Sequence, residues 1–170
     1  MAMHIRQLGE DDAPDFWTLR LRGFRHDPEA FGSSHDESVA RPLAQVAGDL
    51  RAADGTFVLG AFSPGLVGIV GLRREPRRKR RHRAELWGMY VSPDARGQGV
   101  GRALLDEALR RARAVVGLEQ VLLTVMAHNQ AAIGLYRTLG FVVYGHAPRA
   151  MILDDRAFDE DLMRLDLAQP

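Results

Sequence analysis

Three glycines lie within five positions of one short segment, between an apolar strand-like run (86–91) and an amphipathic helical pattern (102–116). Glycine leaves no Cβ between a ligand and the backbone and permits positive φ, so consecutive N–H groups can converge on one anion. The helix that follows directs its unpaired N–H groups and the positive end of its dipole to the same place. The spacing therefore predicts a phosphate-binding loop, although a tight turn that binds nothing would also use these glycines. The segment reads Arg96-Gly97-Gln98-Gly99-Val100-Gly101.

Two familiar phosphate loops do not fit this segment. A Walker A loop ends in Gly-Lys-Ser/Thr, whereas Gly101 is followed by Arg-Ala. A Rossmann fingerprint needs its third glycine at the position of Arg102 and an acid at the end of the next strand. Glu119 instead precedes the next apolar run, 121–125. The pattern that does fit is Gln/Arg-x-x-Gly-x-Gly/Ala, beginning at Arg96.

A second motif follows about thirty residues after the glycine loop. It reads Asn129-Gln130-Ala131-Ala132-Ile133-Gly134-Leu135-Tyr136-Arg137-Thr138-Leu139-Gly140-Phe141. The two motifs resemble the acyl-CoA loop and the Asn-x-x-Ala-x-x-Leu-Tyr-x-x-Leu-Gly-Phe segment of the GCN5-related N-acetyltransferases, the GNAT superfamily. The resemblance covers roughly residues 84–146, about a third of the chain. It implies an N-acetyltransferase that uses acetyl-CoA as co-substrate and transfers its acetyl group directly to a primary amine.

The resemblance implies how acetyl-CoA is bound. Backbone amides from about residue 98 to residue 102 would hold the pyrophosphate, and main-chain groups of Met89 and Val91 would bond the pantetheine arm like an added strand. Two side chains keep two interpretations each: Arg102 reaches the phosphates or covers its helix, and Asn129 contacts the CoA arm or caps its helix. The expected contacts are Met89, Tyr90, Val91, Arg96, Gly97, Gln98, Gly99, Val100, Gly101, Arg102 and Asn129.

Tyr136 is the predicted catalytic acid. Expulsion of CoA leaves a thiolate with a pKa of about 8.5, and a phenol with a pKa near 10 can protonate it or donate a hydrogen bond to it. In the family, the matching tyrosine lies beside the sulfur. The alternative interpretation is an amphipathic aromatic side chain of the core.

Glu85 is the predicted general base. An amine attacks only when neutral, and a lysine-type amine has a pKa near 10.4, so some group must take its proton. Strand alternation predicts that Glu85 shares one face with Trp87, Met89 and Val91. Histone-type members of the family carry a general-base glutamate at the matching place, and desolvation beside Trp87 would raise the carboxyl pKa. A simply solvated acid is the alternative, and His82 is a weaker candidate.

Composition limits the class of protein. With 170 residues, 46% of them hydrophobic, and no Pro/Gly/Ser linker, we expect one domain spanning 1–170. No apolar run is long enough to cross a membrane and no signal pattern is visible, so we expect a cytoplasmic protein. The chain has no cysteine, which excludes disulfides and a thiol nucleophile. We expect no metal.

A basic segment, residues 73–83, contains seven Arg and one Lys. It carries a charge of about +7, whereas the whole chain carries only +1, which leaves about −6 on the rest. Such a segment could bind nucleic acid or assist the phosphates of CoA. No aromatic residue is interleaved for base stacking, and Lys79 is the only lysine, so we favour the solvated tip of a hairpin.

Periodicity and turn residues predict an α/β (α+β) domain, and the resemblance implies the GNAT fold. That fold has a mixed, mostly antiparallel central sheet of six to seven strands, flanked by about four helices. We predict a first helix capped by Asp11 or Asp12 and ending at Arg25, then helices at 42–53, 102–116 and 129–139. Predicted strands are 4–8, 56–62, 66–73, 82–91, 119–125, 141–147 and 162–167, with the acidic stretch 154–161 separating the last two.

The sequence says least about the amine that accepts the acetyl group. In the family its pocket is walled by segments that correspond here to 24–34 and 144–151, where Arg25, Phe31, Tyr144 and Arg149 are candidates. The acids of 154–161 would suit a cationic polyamine, or they are a solvated loop. A homodimer is expected by resemblance alone. Two rival functions are a non-catalytic acyl-CoA-binding domain and a nucleic-acid-binding module that uses residues 73–83.

Overall fold

The computed structural model of the protein describes residues 3–167, and strands and helices alternate through that part of the chain. The strands are β1 (His4–Gln7), β2 (Phe57–Phe62), β3 (Leu66–Arg74), β4 (Arg83–Val91), β5 (Gln120–Met126), β6 (Val142–Leu153) and β7 (Arg156–Asp166). The α-helices are α1 (Ala13–His26), the single turn α2 (His35–Ser38), α3 (Leu43–Asp49), α4 (Val100–Arg113) and α5 (Gln130–Thr138).

The strands form one seven-stranded sheet in the order β1-β2-β3-β4-β5-β7-β6. Neighbouring strands are antiparallel except β4 and β5, which are parallel. This parallel ladder is short: its last pair is Glu85 with Leu122, although β4 continues to Val91 and β5 to Met126. The predicted mixed, mostly antiparallel sheet is therefore confirmed, and the two central strands separate where the glycine loop follows.

A hydrophobic cluster lies on each face of the sheet. On one face α4 buries an apolar stripe at helical spacing, from Val100 through Leu104 and Leu105 to Leu109, and α5 adds Ile133. On the other face, α1 and α3 bury the cluster that includes Phe16, Leu19 and Val46. The two faces matter for the site because the apolar side chains of β4 divide between the two clusters.

Most predicted boundaries agree with the structure, and the exceptions have physical reasons. The first five predicted strands are correct to within one residue at each end. Helix α4 begins at Val100 and ends at Arg113, earlier than predicted, and the apolar residues after it lie in a turn that includes Gly117 at φ +75°. Asp12 precedes α1 but does not cap it with its side chain, because that carboxylate binds Arg6 at 2.7 Å and the Gly9 N–H at 2.8 Å.

The prediction that the acidic stretch 154–161 separates the last two strands is wrong. Only Asp154 and Asp155, both at positive φ, form the turn, and β7 begins at Arg156. Phe158 is buried within that stretch, while Asp159 and Asp161 both contact His146 on the neighbouring strand. The acids thus pair with His146 across a long hairpin. Because the stretch is so highly charged, the sequence pattern did not indicate that it forms part of a strand.

The basic segment 73–83 joins β3 to β4 and includes a 3-10 turn at Arg78–Arg80. Part of it is structural: the Arg74 side chain is only 9% exposed and its guanidinium donates to Asp54 and to the backbone carbonyls of Arg81 and Val116. Arg78, Lys79 and Arg80 lie exposed at the tip.

Candidate active site

A cleft of about 1020 Å³ lies between the end of β4, the glycine loop and the start of α5. It is lined by every expected acyl-CoA contact except Gln98, and also by Tyr136. The Gln98 side chain folds back instead and donates to the Asp94 carbonyl at 3.0 Å. Residues far apart in the chain are thus brought to one cavity. Residues 26–31, which belong to the segment 24–34 expected to wall the acceptor pocket, line the same cleft.

The glycine loop adopts a left-handed backbone conformation at two of its three glycines. Gly97 and Gly99 have φ values of +73° and +79°, and a Cβ at either would meet nothing within 4 Å. The backbone conformation, not crowding, therefore requires glycine at both positions. Gly99 is the N-cap of α4, and the first intrahelical bond runs from the Ala103 N–H to its carbonyl at 3.0 Å. The N–H groups of the first turn of α4 are available to a phosphate in the cleft.

Two arginines line this part of the cleft, and both are bonded to the protein. Arg96 donates to the Val91 carbonyl at 2.9 Å and pairs with Asp27, which ties the loop to β4 and to the end of α1. Arg102 pairs with Asp106 on the next turn of α4 at 3.0 Å, and it reaches Thr138 of α5 at 3.3 Å. The hydrogen-bond donors that remain at the loop are therefore mainly backbone amides.

Asn129 caps α5. Its Oδ1 accepts the Ala132 N–H at 3.2 Å. Of the two interpretations open for this residue, the cap is thus present in the structure, while the side chain also lines the cleft.

A β-bulge in β4 changes which residues share a face. Ile69 of β3 pairs with Tyr90 and Gly71 pairs with Trp87, so β4 carries an extra residue at Gly88, which has φ +63°. Before the bulge, Trp87 packs on the α1 side; after it, Met89 packs on the α4 side. The prediction that Glu85, Trp87, Met89 and Val91 share one face is therefore wrong, because the bulge reverses the alternation. A glycine inside a strand was the signal.

Tyr136 lies where the cleft narrows. It lines both the main cleft and an adjoining cavity of about 140 Å³ between the separating strands β4 and β5, which also contacts Trp87, Gly88 and Phe31. The tyrosine is 7% exposed, and its ring packs edge-on against Phe141. Burial raises the pKa of Tyr136 to about 12, so its hydroxyl is protonated at neutral pH.

Glu85 lies outside the cleft that contains Tyr136. Its carboxylate accepts a 2.6 Å bond from Arg73 and is half exposed, in a separate cavity of about 540 Å³. Leu123 and Thr124 of β5 line both this cavity and the narrow one beside Tyr136. Glu85 therefore lies in a cavity next to the one that contains Tyr136, and the two side chains do not line the same cavity.

The acceptor candidates divide between the cavities. Phe31 lines the main cleft and Tyr144 lines the Glu85 cavity, whereas Arg25 and Arg149 line neither. His128 also lines the main cleft, where its Nε2 lies 3.4 Å from a carboxylate oxygen of Glu29.

Within residues 3–167, no three His, Asp or Glu side chains are grouped to hold a metal ion. None of the helices there is both long enough and apolar enough to cross a membrane.

The sequence matches a known protein family. Residues 15–141 match the sequence model of the Acetyltransferase (GNAT) family. The match spans most of the chain, and the protein therefore belongs to this family.

Individual relatives are similar over different lengths. The chain is 39% identical over 79 residues to an L-methionine sulfoximine/L-methionine sulfone acetyltransferase of Pseudomonas paraeruginosa, which covers 46% of this chain and 45% of that protein. It thus matches less than half of that relative.

Solved structures match over nearly the whole chain. An acetyltransferase of the GNAT family from Streptococcus pneumoniae is 26% identical, with a TM-score of 0.87 over 98% of this chain and 100% of that one. YncA, a putative acetyltransferase from Salmonella typhimurium solved with its cofactor acetyl-CoA, is 25% identical, with a TM-score of 0.81 over 99% of this chain and 95% of that one.

Proposed function

We propose that the protein transfers an acetyl group from acetyl-CoA to a primary amine, by direct attack within a ternary complex. The observation that carries the proposal is the single cleft that joins the glycine loop, the separated end of β4 and the buried hydroxyl of Tyr136. The Salmonella structure with acetyl-CoA supports the choice of acyl donor.

The main chain on this side of the cleft suits acetyl-CoA. The loop around Gly97 and Gly99, followed by the first turn of α4, offers N–H groups to the pyrophosphate. The β4–β5 ladder ends at Glu85, so the β5-facing polar groups of Met89 to Val91 suit the amides of the pantetheine arm, which would pair like a short strand.

The reaction needs two proton movements. Acetyl-CoA, when bound, supplies an activated thioester: the amine nitrogen forms the new C–N bond, and the C–S bond breaks with its electron pair left on sulfur. Tyr136 donates a hydrogen bond to sulfur as this charge develops. Since an ordinary thiol has a pKa of about 8.5, full transfer of a proton from a phenol with a pKa of about 12 is uphill. Tyr136 therefore contributes mainly by hydrogen-bond donation, and the thiolate takes up its proton from solvent water.

The second proton leaves the amine. Glu85 is our proposed acceptor for it, acting through water because the carboxylate lies in the separate cavity of about 540 Å³, which shares Leu123 and Thr124 with the cavity beside Tyr136. His128 is the second candidate because it lines the main cleft itself.

Two measurements test the proposal. Calorimetric titration of acetyl-CoA measures binding, and the release of free CoA thiol from acetyl-CoA in the presence of a panel of amines measures transfer. We expect micromolar to millimolar binding and amine-dependent thiol release. Binding without release for any amine would support the rival function, a non-catalytic acyl-CoA-binding domain. Failure to bind acetyl-CoA would contradict both.

A further inference from the structure

A second cavity, of about 470 Å³, lies between α1 and the segment that contains α2 and the start of α3. Its lining includes Trp17, Arg20, Glu37 and Arg41. None of these residues takes part in the acetyl-CoA side of the site described above.

The buried polar groups without partners in this cavity are all hydrogen-bond donors. Within residues 3–167, Nε and Nη1 of Arg20 and Nε1 of Trp17 are buried and have no hydrogen-bond partner. Guanidinium and indole N–H groups donate and cannot accept. Buried donors in folded proteins are normally paired, so the group that complements this cavity is a hydrogen-bond acceptor.

The charge of the cavity specifies that acceptor further. The Arg20 guanidinium lies 4.9 Å from the ring centroid of Phe24, 5.4 Å from Trp87 and 5.7 Å from Phe31. Aromatic faces stabilise a cation but leave its in-plane N–H groups unbonded. Burial, with a smaller effect of the Arg41 charge, lowers the pKa of Arg20 to about 10, so it remains a cation at neutral pH.

The other charged groups of the cavity are already bonded. Arg41 pairs with Asp49 at 2.6 Å. The Glu37 carboxylate accepts bonds from the backbone N–H of Ser34 at 3.3 Å and from its hydroxyl at 2.8 Å. Arg20 is therefore the cation whose charge lacks a carboxylate partner here.

The guanidinium also adjoins the reaction site. A Cβ on Gly88 would lie 2.7 Å from Nη1 of Arg20. Gly88 and Phe31 line the narrow cavity that contains Tyr136. Nη1 of Arg20 thus lies beside a residue that lines the cavity containing Tyr136.

We propose that Arg20, assisted by the Trp17 indole N–H, binds a carboxylate of the acceptor, so that the preferred acceptors are amines that carry a carboxylate, with amino acids the simplest class. The inference rests on the proposed function and narrows its substrate class. A carboxylate suits the site because it is an anionic acceptor, and a hydrogen bond from a guanidinium N–H to a charged oxygen is stronger than one to a neutral oxygen.

The test compares each amino acid with its own carboxamide, which keeps the side chain and the amine but removes the negative charge. CoA thiol release is measured with acetyl-CoA saturating, and rates are expressed per neutral amine. We expect kcat/KM for the best amino acid to exceed that of its carboxamide by about tenfold or more. Arg20→Met should lower kcat/KM for the amino acid by a similar factor and leave the carboxamide within about threefold.

Three further variants serve as controls. Arg113→Met removes an exposed cation at the far end of α4 and should behave like the wild type with both compounds. Arg20→Lys keeps the positive charge but replaces the planar guanidinium by an ammonium, so it should retain part of the preference. This variant also provides the test if Arg20→Met folds poorly. Glu37→Gln should keep the preference for the amino acid over its carboxamide. If Glu37→Gln lowers kcat/KM for the amino acid as much as Arg20→Met does, Arg20 acts as the ionic partner of Glu37, and the inference is overturned.

Failure of the inference and failure of the proposed function are distinguishable. Turnover of carboxamides as fast as amino acids, or an equal loss of both in Arg20→Met, would overturn the carboxylate site while acetyl transfer stands. If no amine is acetylated, thermal shift with the same amino acids still decides: a rise in Tm in the wild type that Arg20→Met abolishes supports the site. No shift in either protein rejects it.

Discussion

The two sides of the candidate active site are built from different parts of the polypeptide. The side proposed for acetyl-CoA consists mainly of backbone: a left-handed turn at Gly97 and Gly99, the first turn of α4 and the free end of β4. The side proposed for the amine consists of side chains, among them Arg20 and Glu85. Backbone sites tolerate change in most side chains, whereas the acceptor side depends on individual residues. The difference explains how one fold can keep its donor and change its acceptor.

The largest effect is expected at Tyr136, where both sides meet. Tyr136→Phe keeps the packing against Phe141 and removes only the hydroxyl, so kcat should fall on the order of tenfold to a thousandfold. Affinity for acetyl-CoA, measured by calorimetry, should change little. If turnover of a verified substrate stays intact, Tyr136 is a packing residue and water stabilises the thiolate.

Gly99→Val tests whether the backbone side binds acetyl-CoA. At φ +79° a branched side chain strains the turn, and its Cβ projects into the space where the phosphate is expected, so acetyl-CoA affinity should fall about tenfold or more. The matched control is Gly48→Ala in α3, where φ is ordinary and nothing lies within 4 Å of the new Cβ. Unchanged affinity in a folded Gly99→Val protein would reject the phosphate loop.

Glu85→Gln tests the role of a side chain on the side proposed for the amine. If Glu85 accepts the proton of the amine, kcat/KM should drop most below the pKa of the amine and recover as the pH rises, because an amine already neutral in solution needs no base. The measurement is a pH profile of both proteins with one amine. A loss that is equal at every pH would assign Glu85 a structural role, for example through its bond to Arg73, and would direct the search to His128 or His82.

The smallest effect is expected for Arg102→Ala. Arg102 lines the cleft, but its guanidinium is bonded to Asp106 and Thr138, so its loss should weaken acetyl-CoA binding by less than about threefold. Calorimetric titration of acetyl-CoA measures this. A loss as large as that of Gly99→Val would show that the donor side relies on a side-chain cation and would weaken the comparison drawn above.

Local patterns predicted which residues come together at the main cleft, for a physical reason. The glycines of the loop and the Asn129–Phe141 motif act on backbone dihedrals and helix caps within a few residues, so their spacing in the sequence is also their spacing in space. The charged segments were harder to interpret. Phe158 and the acids around it form a strand because His146 and a neighbouring strand pair with them, a contact that no local pattern contains.

The sequence by itself thus determined the family, the order of the elements, the glycine loop and the tyrosine that joins it in one cleft. The tertiary structure alone decided three further matters: the bulge at Gly88, which moves Met89 to the opposite face from Trp87; the separation of Glu85 from Tyr136; and the unpaired donors of Arg20 and Trp17. Register, burial and the pairing of polar groups depend on which strands and helices meet, and those contacts join residues that are distant in the chain.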